Sequence, residues 1–230
     1  MAVSSVAAVE GIGLQGDCHA DPLSPRQVLL ASAKTYQRLA LPSAALRESF
    51  TVSKALDCYP PGSLVALGPE VLLWMTFRCE PCARLNVHRP GLMRGIGEER
   101  GVLGRVLRGG RVHVGDPVQV LQDVLPAWPD VWQERVRQVA GAVPAASVVG
   151  YAHLARLAGV PLAYCRVFPR VLAEAPSGQP HRVVRSGAAQ SAPTWLGESL
   201  FLGPAELRSW LPRGDRFEPS DGPPHHHPEN

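Results

Sequence analysis

Ser63-Leu64-Val65-Ala66-Leu67 and Val71-Leu72-Leu73-Trp74-Met75 are two short apolar runs parted by Gly68-Pro69-Glu70. Apolar runs this short, held between turn formers, fit strands of a barrel or sandwich, because a helix needs about ten or more residues. The same pattern recurs outward along the chain, in Val28-Leu29-Leu30, Gly104-Arg105-Val106-Leu107 and Val118-Gln119-Val120-Leu121. Gly109-Gly110 ahead of Arg111-Val112-His113-Val114-Gly115-Asp116 predicts a tight turn and a two-faced strand. One helix is expected at Ala31–Leu39, which has small or apolar residues along one side. Residues 1–123 therefore read as a mainly-β domain, a barrel or a sandwich.

The pattern changes at Asp123–Pro129, where Pro126, Trp128 and Pro129 mark a connection over 124–129. Beyond it the period is helical. Asp130 is placed to cap a helix with Gln133 three residues on, and Trp132, Val136, Val139 and Val143 form its stripe. Tyr151–Ala158 predicts a second helix stopped by Gly159, and Pro161 is set to open a third. With an extended His181-Arg182-Val183-Val184 after them, residues 130–212 predict an α-helical, winged helix-turn-helix-like domain. From Arg213 the Pro-, Gly- and His-rich tail, 213–230, is expected to be disordered. His225-His226-His227 within it is read as inert rather than as a metal site.

The chain has 230 residues, a length that suits two domains at roughly 100–200 residues each. Glycine and proline together supply 45 of them (22 and 23), which favours short elements and many turns. A net charge of +3 excludes a strongly basic nucleic-acid coat and an acidic tail protein, while leaving room for a local basic face. No apolar run reaches the roughly 18 residues of a membrane span. The N-terminus lacks a basic region and an apolar signal core, so a cytoplasmic protein without membrane partners is expected. Cys18, Cys58, Cys79, Cys82 and Cys165 are odd in number and scattered, as reduced thiols would be.

Several polar clusters interrupt the β-rich half. They are Gly16-Asp17-Cys18-His19-Ala20-Asp21, Ser24-Pro25-Arg26-Gln27-Val28, Leu46-Arg47-Glu48-Ser49-Phe50-Thr51 and Arg78-Cys79-Glu80-Pro81-Cys82. Glu99-Arg100-Gly101, Arg105-Val106 and Val114-Gly115-Asp116 follow. In order and spacing, over about residues 8–122, they resemble the MOSC family, found at the C-terminus of molybdenum-cofactor sulfurases and as small stand-alone proteins. The stand-alone branch is the nearer. The resemblance implies a β-barrel-like fold and a pocket for a molybdopterin-type molybdenum cofactor. It also implies one cysteine as metal ligand or sulfur carrier, which falls on Cys82 as the catalytic residue. The family is associated with pyridoxal phosphate as well. Ser49 stands where the family commonly has Asn.

The residue chemistry agrees with that implication. A thiolate is a soft ligand suited to molybdenum, and Arg78, Arg84 and Arg100 nearby would lower the Cys82 pKa. Arg26, Arg47 and Arg100 are the candidate phosphate clamp, since guanidinium forks match phosphate oxygens. Asp17 and His19 are either further cofactor-binding residues or turn residues. Cys79 and Cys82 also read as half a zinc site or a redox pair, although no second pair stands at zinc spacing.

The second half has its own sequence of landmarks: Val131-Trp132, Val143-Pro144, Gly150-Tyr151-Ala152, Gly159-Val160-Pro161, Cys165-Arg166-Val167 and Gln179-Pro180-His181-Arg182-Val183-Val184. Over about residues 129–200 these resemble the DNA-binding domain of O6-alkylguanine-DNA alkyltransferases and alkyltransferase-like proteins. Pro180 occupies the place of the acceptor cysteine, and a proline carries no nucleophile, so no alkyl transfer is expected. The resemblance makes Tyr151 the residue that rotates a nucleotide out of the duplex and Arg166 the one that fills the gap. His181 and Arg182 complete the DNA-binding set. Between 130 and 190 seven Arg face three acids, an excess of four positive charges that suits phosphate contacts. Pro169 is expected inside the groove-entering helix, where it would kink the chain. A retasked structural module is the competing reading.

Two functions follow as expectations. One is a molybdenum-dependent oxidoreductase acting on N-hydroxylated bases or related compounds, served by a separate electron-donor reductase because the sequence has no flavin or iron–sulfur signature. The other is a non-enzymatic sensor of alkylated DNA bases, with the MOSC half as scaffold or sulfur carrier.

Overall fold

The computed structural model describes residues 3–122, 124–174, 182–184, 192–197 and 200–201. The first half contains β1 Ser5–Val9, β2 Gly13–Leu14, β3 Val28–Ser32, β4 Phe50–Val52, β5 Leu64–Leu67, β6 Val71–Arg78, β7 Val102–Arg108, β8 Gly110–His113 and β9 Val118–Leu121. Two short helices, α1 Ala33–Arg38 and α2 Leu92–Gly95, and 3-10 turns at Ala83–Val87 and Gly97–Arg100 fill the connections. The second half contains α3 Trp132–Ala142, β10 Val149–Gly150, α4 Tyr151–Leu157, a 3-10 helix Leu162–Val167, α5 Phe168–Ala173 and β11 Val183–Val184.

Six strands form one curled sheet, a half-barrel, in the order β4-β3-β7-β6-β5-β9. A smaller sheet, β2-β1-β8, lies over one face. Alternation along β6 explains why its sequence is almost wholly apolar. Val71, Leu73 and Met75 enter a core with Ala8 and Val112 of the small sheet. Leu72 and Trp74 enter the opposite core, with Val136 and Val139 of α3, Leu154 of α4 and Phe168 of α5. Strands buried on both faces read as continuous hydrophobic runs. The register shifts between Met75 and Phe77, a β-bulge that turns Phe77 to the helical side. Thr76 Oγ1 donates to the Pro25 carbonyl at 2.9 Å there.

The apolar runs quoted above are all strands, and the mainly-β first half with helices in the second is as expected. Several details differ. The expected helix at Ala31–Leu39 starts two residues later, because Ala31 and Ser32 complete β3 and Ser32 Oγ accepts the Lys34 N–H as N-cap. No tight turn forms at Gly109-Gly110: Gly110 opens β8, which ends at His113 and pairs with β1, while β7 pairs with β3 and β6. Asp130 caps no helix, since α3 begins after Val131 and the Asp130 carboxylate accepts from the Arg78 backbone N–H at 2.7 Å. Pro169 is not interior to a helix. The segment breaks into a 3-10 turn and α5, and Pro169 sits in the first turn of α5, where no N–H is needed. Val183–Val184 pairs in parallel with Val149–Gly150, and no antiparallel wing occurs among the described residues. The tail and His225–His227 lie outside the described residues.

Candidate functional site

Strand β6 ends at Arg78, and the chain leaves the sheet as Cys79-Glu80-Pro81-Cys82 before the 3-10 turn at Ala83. The Cys79 N–H donates to the Gly101 carbonyl at 2.8 Å, which ties this loop to the segment carrying Arg100. Gly101 has φ +111, and a Cβ there would lie 2.4 Å from the Leu30 carbonyl oxygen. Only glycine lets the chain pass that close to β3 while turning Arg100 inward.

Cys79, Cys82, Arg26, Arg100, Arg135 and Tyr164 line one cavity of about 340 Å³, within the roughly 300–1,000 Å³ of small-molecule sites. Cys82 is exposed and Cys79 buried. Burial pushes the Cys79 thiol up in pKa, against the opposing pull of Arg100 and Arg26. Arg100 is only 7% exposed, and its Nε and Nη1 are buried without a hydrogen-bond partner among the described residues. Arg26 is half-buried and donates from Nη1 to the Gly159 carbonyl at 3.1 Å.

Arg135 is 1% exposed and spans both halves of the chain. It donates to the carbonyls of Ala158, Pro129 and Asp130 at 3.1, 3.0 and 2.7 Å, and to Glu80 Oε1 at 3.0 Å. Its guanidinium stacks 3.7 Å from the Phe77 ring centroid. Burial lowers the Arg135 pKa, and the Glu80 carboxylate works against that fall.

Of the candidate cofactor residues, Cys82, Arg26 and Arg100 come together here. Arg47, Asp17 and His19 do not line this cavity. Arg47 is exposed with φ +54. The Asp17 carboxylate accepts the His19 N–H at 2.8 Å, with the ring Nδ1 at 2.9 Å. Burial would raise the Asp17 pKa, but these contacts outweigh it and the net shift is downward. Arg78 is engaged by Asp130 at 2.9 Å and Glu98 at 3.2 Å, and Arg84 is exposed off the cavity lining.

Among the DNA-binding candidates, Arg166 is exposed on the 3-10 helix. Tyr151 is half-buried, its ring edge-on to Phe168 at 5.8 Å. Arg182 is half-buried and donates to the Val143 carbonyl at 2.9 Å. His181 and Pro180 lie outside the described residues. A larger cleft of about 710 Å³ opens beside β1, β4 and β8, but no thiol or cationic Lys or Arg lines it.

Sequence reasoning missed Arg135, Glu80 and Tyr164. An arginine flanking an apolar stripe reads as solvent-facing, and nothing local marks Tyr164 as a cavity residue. The one available signal was Glu80 between two cysteines.

Residues 16–119, a little under half of the chain, match the MOSC domain. No curated protein matches the sequence. Among solved structures, the YuaD protein of Bacillus subtilis is 20% identical, with a TM-score of 0.45 over 51% of this chain and 85% of that one. YiiM of Geobacillus stearothermophilus is 18% identical, with a TM-score of 0.41 over 65% and 80%. YiiM of Escherichia coli is 17% identical, with a TM-score of 0.44 over 74% and 85%. No helix among the described residues is long and apolar enough to cross a membrane.

Proposed function

We propose that the MOSC domain at residues 16–119 holds a molybdopterin-type molybdenum cofactor in the cavity between Cys82 and Arg100, and that the protein is a molybdenum-dependent oxidoreductase. The observation that carries this reading is the Arg100 guanidinium, nine-tenths buried with Nε and Nη1 unpartnered beside two thiols. Burying a cation without a partner is costly. An anionic ligand such as a cofactor phosphate accounts for its retention.

The donor set fits such a group. Cys82 offers a soft thiolate on the open side of the cavity. Arg100 and Arg26 are forked donors for phosphate oxygens. Cys79, its pKa raised by burial, stays protonated and is a poorer ligand. Arg135 keeps the Cys82 loop in place through Glu80. When bound, the cofactor supplies two-electron, oxygen-atom chemistry. Pyridoxal phosphate does not fit, because it needs a lysine for its Schiff base and no lysine lines the cavity.

The proposed substrates are N-hydroxylated bases or related compounds, each taking two electrons and two protons to give the amine and water. The electrons come from a separate reductase partner. The test is molybdenum-loaded protein with a chemical reductant such as reduced methyl viologen and an N-hydroxylated adenine. Amine product from wild type and none from Cys82→Ala is the expected result. No product from loaded wild type overturns the oxidoreductase reading.

A second reading rests on Arg166, exposed next to Val167 on the 3-10 helix. In it the second half is an alkyltransferase-like module that binds alkylated DNA without transferring the alkyl group. Lesion-dependent binding to an O6-methylguanine duplex, lost in Arg166→Ala, is its test. Equal binding to undamaged duplex overturns it.

A further inference from the structure

The cavity has a wall that the MOSC match does not include. Tyr164 belongs to the 3-10 helix Leu162–Val167 and lines the same cavity as Cys82, Arg26 and Arg100. Pro161, with φ −57, opens this turn, and the Tyr164 N–H donates to the Pro161 carbonyl at 2.9 Å. The Tyr164 ring leans on Trp132 of α3 at a centroid distance of 5.0 Å and a tilt of 51°, inside the range of favourable aromatic pairs. Trp132 therefore holds the ring in place, while 38% of Tyr164 stays exposed. Met93, a flexible thioether, lines the same cavity and can adjust to a ring of varied outline.

We infer that Tyr164 is a specificity-determining residue, a stacking platform for a planar heteroaromatic ring whose phosphate is held by Arg100. A ring held against Trp132, in the same cavity as a guanidinium whose Nε and Nη1 are unpartnered among the described residues, selects a ligand that is flat at one end and anionic at the other. The inference rests on the anion-binding reading of Arg100 given above. It also gives the second half of the chain a function at the pocket, through the turn that follows Gly159.

The test is calorimetric titration of the full chain, purified from a host that makes no molybdenum cofactor, with guanosine 5′-monophosphate and with ribose 5-phosphate. Wild type binds the nucleotide at least about fivefold more tightly than the sugar phosphate, the least that base–aromatic stacking supplies. Tyr164→Ala removes that difference and leaves ribose 5-phosphate affinity unchanged, while Tyr164→Phe keeps the difference. Arg100→Gln weakens both ligands. An unchanged preference for the nucleotide in Tyr164→Ala overturns the role of Tyr164 and leaves the anion site standing. Failure of wild type to bind either ligand overturns the anion site, and this inference with it.

Discussion

Arg135 Nη2 lies 3.0 Å from Glu80 Oε1, so a helix of the second half holds the loop on which Cys82 sits. The contact lies over a core shared by both halves, in which Trp74 and Phe77 pack with Val136, Leu154 and Phe168.

Removing Arg135 should therefore unfold more than one helix turn. Arg135→Ala strands three carbonyls, releases the exposed Glu80 carboxylate and empties the space against Phe77, and is expected to cost about 3–5 kcal/mol, read from denaturant midpoints. Arg135→Lys should recover little, because one ammonium cannot donate in four directions while lying flat on Phe77. Full recovery by lysine would mean that charge alone matters at this position.

Arg100 should behave in the opposite way. Its buried, unpartnered nitrogens burden the unliganded fold, so Arg100→Met is expected to raise thermal stability by about 1 kcal/mol or more. The same substitution should abolish anion binding. A large loss of stability would instead make Arg100 a structural residue.

Gly159 has φ +63, and a Cβ there would lie 2.9 Å from Arg26 Cγ, Phe77 Cζ and Pro25 Cγ. Gly159→Ala combines backbone strain with displacement of Arg26, at a cost of about 1–3 kcal/mol. Weaker phosphate binding should accompany the lower melting temperature.

These effects mark what was legible in the sequence. β3, β5, β6 and β7 announced themselves as short apolar runs, because burial on both faces leaves little polar alternation to misread, whereas β1, β2 and β4 carry no such run and were not expected as strands. Cys82, Arg26 and Arg100, singled out through the family resemblance and their residue chemistry, line one cavity. Arg47 was grouped with them on the same basis, yet its left-handed backbone points to a turn role, which spacing alone does not reveal. Arg135 and Tyr164 could not be found, since their role depends on how α3 and the turn after Gly159 dock on the sheet. Pro169 misled because a helix was assumed to run through it.

The Asp21–Arg156 pair, bidentate at 2.8 and 3.1 Å, also joins the two halves. Burial would raise the Asp21 pKa, but the Arg156 hydrogen bonds and charge take it below the ordinary 3.8. A carboxylate lowered by folding stabilises the protein above its unfolded pKa, and that contribution fades as pH falls through the folded value. Asp21→Asn should cost up to about 1 kcal/mol at pH 7, the pair being partly solvent-screened. The gap from wild type should close below about pH 4, as followed by unfolding at stepped pH. A gap that persists in acid would assign the effect to packing.

The most direct measurement is the molybdenum content of wild type, Cys82→Ala and Cys79→Ala, each expressed in a host that makes the cofactor. Stoichiometric metal in wild type and Cys79→Ala, and its loss in Cys82→Ala with the fold intact by circular dichroism, is the predicted result. Metal retained without the Cys82 thiol, or absent from folded wild type, would contradict the account.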